Sequence, residues 1–118
     1  MAYKAVHKHA RISARKVRLV AALIRGKFAD EALDILRYQS ERGARLIEKV
    51  LKSAIGNAQD PDQNPGKTAK LETLVVTVCR VDGGPMFKRV MPHSRGQADT
   101  ILRRTAHIHV ELEDVADL

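Results

Sequence analysis

No acidic residue occurs before Asp30, although eight Lys and Arg residues do. An ordinary solvated surface intersperses the two signs, so an unbroken cationic stretch reads as a contact face. Tryptophan is absent and aromatics make up only 3% of the 118 residues, which argues against reading bases on an aromatic platform. Cys79 is the single cysteine, which excludes an intrachain disulfide and a Cys-based zinc site. It lies within a β-branched segment and reads as a small apolar core residue. No apolar run approaches the length that spans a bilayer, and the first residues lack a signal-peptide core. The expected setting is soluble and reducing, with no membrane partner.

Catalytic signatures are equally scarce. There is no Gly-rich nucleotide loop and no G-x-S-x-G elbow. Asp30, Asp34 and Glu41 read as helix-start and solvent-facing charges. His7 and His9 share the His-x-His spacing of His107 and His109, and the pairs would approach each other if their strands were neighbours. No carboxylate or thiol completes a ligand set, so they read as half-exposed strand residues and no metal is expected. DPDQNPG looks like the start of a calcium loop, but its Gly falls one place late and Leu71 stands where the closing Glu belongs. The sequence therefore predicts no enzyme, no cofactor and no small-molecule substrate.

What is present is positive charge, unevenly placed. The net charge is +7, which favours a polyanionic partner. Residues 30–62 carry seven acids against five bases, 83–98 carry only bases, and four acids follow from Glu111. Two basic regions thus flank a nearly neutral middle. In the first, RISARKVR gathers Arg11, Arg15, Lys16 and Arg18 around a predicted helix start. Ser13 is its expected N-cap and Gly26 its stop. Val17, Val20, Ala21 and Ile24 share one face of this helix, with Arg15, Arg18 and Arg25 on the other.

A second helix is predicted over 29–38 with Ala32, Leu33, Ile35 and Leu36 as its apolar set. A third, capped by Ser40, keeps Ile47, Val50, Leu51, Ala54, Ile55 and Ala58 at helical spacing. Gln59 to Thr68 reads as a polar Pro/Gly loop. Strands are predicted over Tyr3–His9 and Leu71–Val81, and over ILRRTAHIHVELE, where Leu102, Arg104, Ala106, Ile108, Val110 and Leu112 fall on one face. The expected fold is α+β: three helices packed on a small antiparallel sheet, a single domain over 1–118.

Between the last two strands runs GGPMFKRVMPHSRGQA, with three bases, three Gly, two Pro and no acid. If those strands pair, the insert extends their hairpin over about 81–101, reaching roughly 30 Å at about 3.3 Å per residue. A tolerated surface loop is polar, whereas this one exposes Met86, Phe87, Val90 and Met91 beside its charges. A mobile arm that orders when something surrounds it is the reading that fits. With no DNA-reading helix in view, folded RNA is the favoured partner. The rival readings are a free-standing nucleic-acid-binding regulator and a metal-dependent enzyme built on the His pairs.

These residues resemble the bacterial-type large-subunit ribosomal protein L twenty-two family over essentially the whole chain. ISARKVRLVAALIRGK, ALDIL and LIEKVLKSAIGNA are similar to its helices, and GPMFKRVMPHSRGQADTILRRTAHIHV to its arm. Two departures stand out: Ala14 replaces a usual Pro, and MPHSRGQA carries fewer bases than the commoner form. The resemblance implies a structural, cytoplasmic component of the large ribosomal subunit whose partners are ribosomal RNA, neighbouring large-subunit proteins and the nascent polypeptide. It implies RNA contacts from Lys4, Lys8, Arg11, Arg15, Lys16, Arg18, Arg25 and Lys27 on the body, from Arg80, Arg103 and Arg104 near the arm's base, and from Lys88, Arg89, His93 and Arg95 within it. It also implies an arm tip, Met86, Phe87, Lys88, Arg89, Val90, Met91 and Pro92, that lines the peptide exit tunnel. His93 is expected to be partly protonated against a phosphate.

Overall fold

The computed structural model describes residues 2–62 and 69–118. Strand β1 (Ala2–Ala10) is followed by three helices, α1 (Ala14–Ile24), α2 (Ala29–Tyr38) and α3 (Arg42–Gln59). Four strands come next: β2 (Leu74–Gly83), β3 (Phe87–Pro92), β4 (Ala98–Arg103) and β5 (Ala106–Asp114). They form two sheets, an antiparallel β1-β5-β2 sheet and a separate β3-β4 ribbon. The architecture is the expected α+β one, with an arm. Most of the predicted 59–68 loop, including much of the calcium-like motif, lies outside the described residues.

The helices follow from their apolar spacing. Val17, Val20, Ala21 and Ile24 of α1 are buried, as are Ile47, Val50, Leu51, Ala54, Ile55 and Ala58 of α3. Ser13 occupies the α1 N-cap position, but its side chain makes no capping bond. Gly26, at φ 77, ends the helix in the left-handed region that glycine tolerates best. The cap of α3 is Glu41, one residue past the expected Ser40. In its first turn Gly43 sits against Val17, where an added Cβ would lie 3.4 Å from a Val17 methyl.

The helices cover one face of the sheet, burying Leu74, Val76, Cys79, Val81, Ile108, Val110 and Leu112. β2 begins at Leu74 rather than Leu71, because Leu71–Thr73 forms a 3₁₀ turn. A bulge lies between Val76, opposite Leu112, and Val78, opposite Glu111. The extra residue reverses the inward parity, so that Val76 is followed into the core by Cys79 and Val81. That reversal is why this segment looks apolar on both faces.

Helix α1 also closes the free edge of β2. The Arg18 Nε donates to the Val81 carbonyl at 2.9 Å and the Arg25 Nε to that of Cys79 at 2.7 Å. Beyond the helix, Gly26 donates to the Val76 carbonyl and Val76 to that of Lys27, each at 2.9 Å. An edge strand otherwise offers unpaired backbone groups to other chains, and here the carbonyls of Val76, Cys79 and Val81 and the Val76 N–H are occupied.

The ladder from body to arm is interrupted. β2 and β5 end at the Gly83–Ala106 pair, and the arm restarts at Phe87–Arg103. Three residues on one side face two on the other, and Pro85 among them has no N–H to give. The expected single alternation from Leu102 to Leu112 therefore holds only from Ala106 onward. Thr105 and Ala106 are both buried, whereas Leu102 and Arg104 are exposed. The molecule measures 67 × 28 × 19 Å, the long dimension reflecting the arm.

Candidate nucleic-acid interface

Three adjoining clefts, each of about 400 Å³, lie where the arm leaves the body. Arg11, Arg89, Arg103 and Arg104 line the first; Arg15, Arg18 and Arg104 the second; Arg11, Lys16, Arg42, Arg103 and Arg104 the third. Among the described residues, no acidic one lines any of them. The two basic regions of the sequence thus converge on one root. Among the described residues, the side chains of Arg11, Arg15, Lys16, Arg42 and Arg103 have no hydrogen-bond or ion-pair partner, and Arg104 reaches only the Met86 sulfur at 3.1 Å.

Such clustering is unfavourable without counter-charge. A guanidinium presents a planar fork of donors that fits phosphate oxygens two at a time, and several forks around one cleft suit a chain of phosphates. Other bases are already engaged. Arg45 donates to the carbonyls of Leu36 at 2.7 Å and Arg37 at 3.1 Å, and to that of Gln39, closing the end of α2. It also pairs with Glu48 at 2.8 Å, whose second partner is Lys52 at 3.2 Å. The Lys52 hydrogen bond, with the charges of Lys52, Arg45 and Arg37, holds the Glu48 carboxyl below its usual range against the opposing effect of burial.

The remaining predicted contacts lie away from these clefts. Lys4 pairs with Glu111 at 3.5 Å across β1 and β5, and Lys8 is exposed on β1. Arg25 and Lys27 sit at the far end of α1. Arg80 faces Asp82 at 3.3 Å. Lys88 is exposed on β3, and His93 and Arg95 belong to the turn that ends the arm. Arg18 and Arg25, assigned to a phosphate-facing side of α1, spend their Nε donors on β2 but stay exposed.

The residues expected at the tip need relocation. The turn runs through His93–Gln97, closed by His93 N–H to the Gln97 carbonyl at 2.6 Å. Arg95 (φ 61) and Gly96 (φ 72) supply the positive dihedrals that reverse the chain. Met86 and Phe87 are therefore at the root, and Lys88, Arg89, Val90, Met91 and Pro92 run the length of β3 toward the turn. Apolar character marked an exposed strand, not its end. Val90, 71% exposed, is the barest of its large apolar side chains. His93 is also not left for phosphate alone, since its Nε2 lies 2.9 Å from an Asp99 carboxylate oxygen across the turn.

Sequence reasoning missed Arg42, which stands in the slightly acidic middle of the chain. A signal was available: it is the first residue of α3, whose first turn holds no acid. A cation there opposes the helix dipole, so local stability does not account for it.

Strands β1 and β5 do pair, but the register sets His7 opposite buried Ile108, so of the two His pairs only His9 and His107 meet. His9 donates its backbone N–H to His107 Nδ1 at 3.1 Å, and His109 Nε2 lies 3.3 Å from Asp82. Among the described residues, no three His, Cys, Asp or Glu side chains gather as metal ligands. Burial pushes the Cys79 thiol up to about 11, which keeps it in the un-ionised, unreactive form.

The family model described as Ribosomal protein L22p/L17e matches residues 5–113, from within β1 to within β5. The large ribosomal subunit protein uL22 of Rhodopirellula baltica is 61% identical over 116 residues, covering 98% of each chain. The chain belongs to the ribosomal protein L22p/L17e family. It is accordingly a ribosomal protein of the large subunit, not an enzyme, and resides in the cytoplasmic ribosome. The family match takes in both the helical body and the whole arm, so the root clefts lie inside it.

Proposed function

We propose that this ribosomal protein binds large-subunit ribosomal RNA through the root clefts and the arm, joins separate RNA segments during subunit assembly, and contributes arm residues to the wall of the peptide exit tunnel. The observation that carries the reading is the set of acid-free clefts with unpartnered arginines. Arginines against phosphates release condensed counterions, a source of affinity that falls steeply with salt. Such contacts fix position and orientation rather than read sequence.

The arm supports the second half of the proposal. At about 3.3 Å per residue its six-residue strands run roughly 20 Å beyond the root. Every residue of β3 is exposed, Phe87, Val90 and Met91 among them, which suits a ribbon surrounded by RNA, neighbouring proteins and a passing nascent chain. The test is sedimentation of the tagged protein from lysate before and after a high-salt wash. Co-migration with large subunits that survives the wash is expected, because an interlocked arm does not leave as a surface cation does. Release into light fractions would refute the reading. A photo-crosslinker at Met91 should capture nascent chains in translating ribosomes, and its failure there would remove the tunnel assignment alone.

A further inference from the structure

The third cleft has walls from both parts of the molecule: Arg103 and Arg104 from the arm and its linker, and Arg11, Lys16 and Arg42 from the body. Resting on the RNA reading above, we propose that this cleft is a phosphate clamp that sets the angle between arm and body, and that Arg42 is one of its binding residues.

Contacts between the arm strands and the body are few among the described residues. Among the described residues, β3 and β4 pack extensively only on each other. The join consists of Gly84–Met86 and Arg104–Thr105, tied by Gly84 N–H to the Thr105 carbonyl at 2.9 Å and the Thr105 hydroxyl to the Pro85 carbonyl at 2.6 Å. Both bonds sit at one point, and one point anchors a ribbon without fixing its direction. A second contact off that axis is needed. The cleft is so placed, but every charged side chain lining it is cationic, so its facing walls repel each other. An anion between them changes the sign of that interaction and draws arm and body together.

The occupant is a run of backbone phosphates. The clefts adjoin and share Arg11, Arg103 and Arg104, so one isolated anion leaves the neighbouring guanidiniums uncompensated. Arg42 fits this role because its side chain is exposed, lines the cleft and has no partner among the described residues, unlike Arg45 one turn further along.

The test places spin labels on the full chain at Ser94→Cys in the arm turn and Ser53→Cys on α3, both exposed positions. Buried Cys79, with its thiol at about 11, stays unlabelled. Distances are measured free, with inorganic phosphate, and with a saturating large-subunit ribosomal RNA transcript. The expected result is a broad distribution that only the transcript narrows. Arg42→Gln with Arg103→Gln should lower the salt slope of binding by about two, one for each lost phosphate contact, and lose the narrowing at saturation. Lys88→Gln with Arg95→Gln should weaken binding and keep the narrowing. A root variant that narrows as fully as the natural chain, a free protein already narrow, or equal narrowing by inorganic phosphate would overturn the clamp while leaving the RNA reading intact. A natural chain that does not bind the transcript would overturn the RNA reading itself, and the clamp with it.

Discussion

The hydroxyl of Thr105 donates to the carbonyl of Pro85 at 2.6 Å, and this pair closes the gap between the two ladders. Thr105 is 3% exposed, the one buried polar residue among those described. Its hydroxyl requires an empty place beside it, and Gly84 provides one: a Cβ at Gly84 would lie 2.5 Å from that oxygen. Gly84→Ala is therefore expected to destabilise the protein by about 1–3 kcal/mol through overpacking. Gly83→Ala, whose added Cβ meets nothing within 4 Å, serves as control. Chemical denaturation of the two variants checks this, and equal midpoints would show that the root does not need the glycine.

Two arginines on one helix should behave differently. Arg25 holds the Cys79 carbonyl at the sheet edge, so Arg25→Ala should cost about 1–2 kcal/mol of stability by leaving a part-buried acceptor unmet. Arg15 has no partner among the described residues and lines a root cleft, so Arg15→Ala should leave stability within about 0.5 kcal/mol. The order should reverse for RNA, with Arg15→Ala weakening transcript binding more. Thermal unfolding and a filter-binding assay on both variants decide it.

That contrast marks where the sequence is legible. Helix faces were readable because burial repeats at 3.6 residues, and every residue of the α3 stripe is buried. The acid-free insert identified an arm because charge composition needs no tertiary information. Partners across the fold were not readable. The edge that Arg18 and Arg25 guard exists only once α1 lies along β2, and the Thr77 bulge depends on the register with β5. The turn at His93–Gln97 was hidden for a related reason: only Gly96 announces a positive φ, while Arg95 adopts one because the closed ladder demands it. Arg42 was masked because it stands in an acidic stretch, next to Glu41, while the cleft it lines is assembled from other segments of the chain.

Acid should act on Glu48. Its carboxyl is held low in the folded chain, first by the Lys52 hydrogen bond and then by the surrounding charges of Lys52, Arg45 and Arg37. A carboxylate whose folded value is depressed stabilises the protein above its unfolded value, and the contribution fades as pH falls through the folded one. Glu48→Gln should consequently be less stable than the natural chain at neutral pH, and the difference should shrink below the ordinary carboxylate range. Unfolding midpoints of both chains across pH 7 to 2 test this. A difference that stays constant would assign the loss to packing rather than charge.

The arm's own bases should matter to assembly and not to folding. Arg89 stands over the Phe87 ring at 5.5 Å and donates to the Lys88 carbonyl at 3.0 Å, both exposed and local contacts. Arg95 sits in the turn with no side-chain partner among the described residues. Removing both deletes nothing that the body packs against. Arg89→Ala with Arg95→Ala should thus leave the melting temperature of the free protein nearly unchanged, since surface changes of this kind stay within about 0.5 kcal/mol. The same variant should enter large subunits more slowly in a reconstitution time course, because the proposed RNA contact loses two charges that would neutralise phosphate along the arm. Normal incorporation with a lowered melting temperature would make the arm's bases part of the fold, and the contact role would then pass to the root alone.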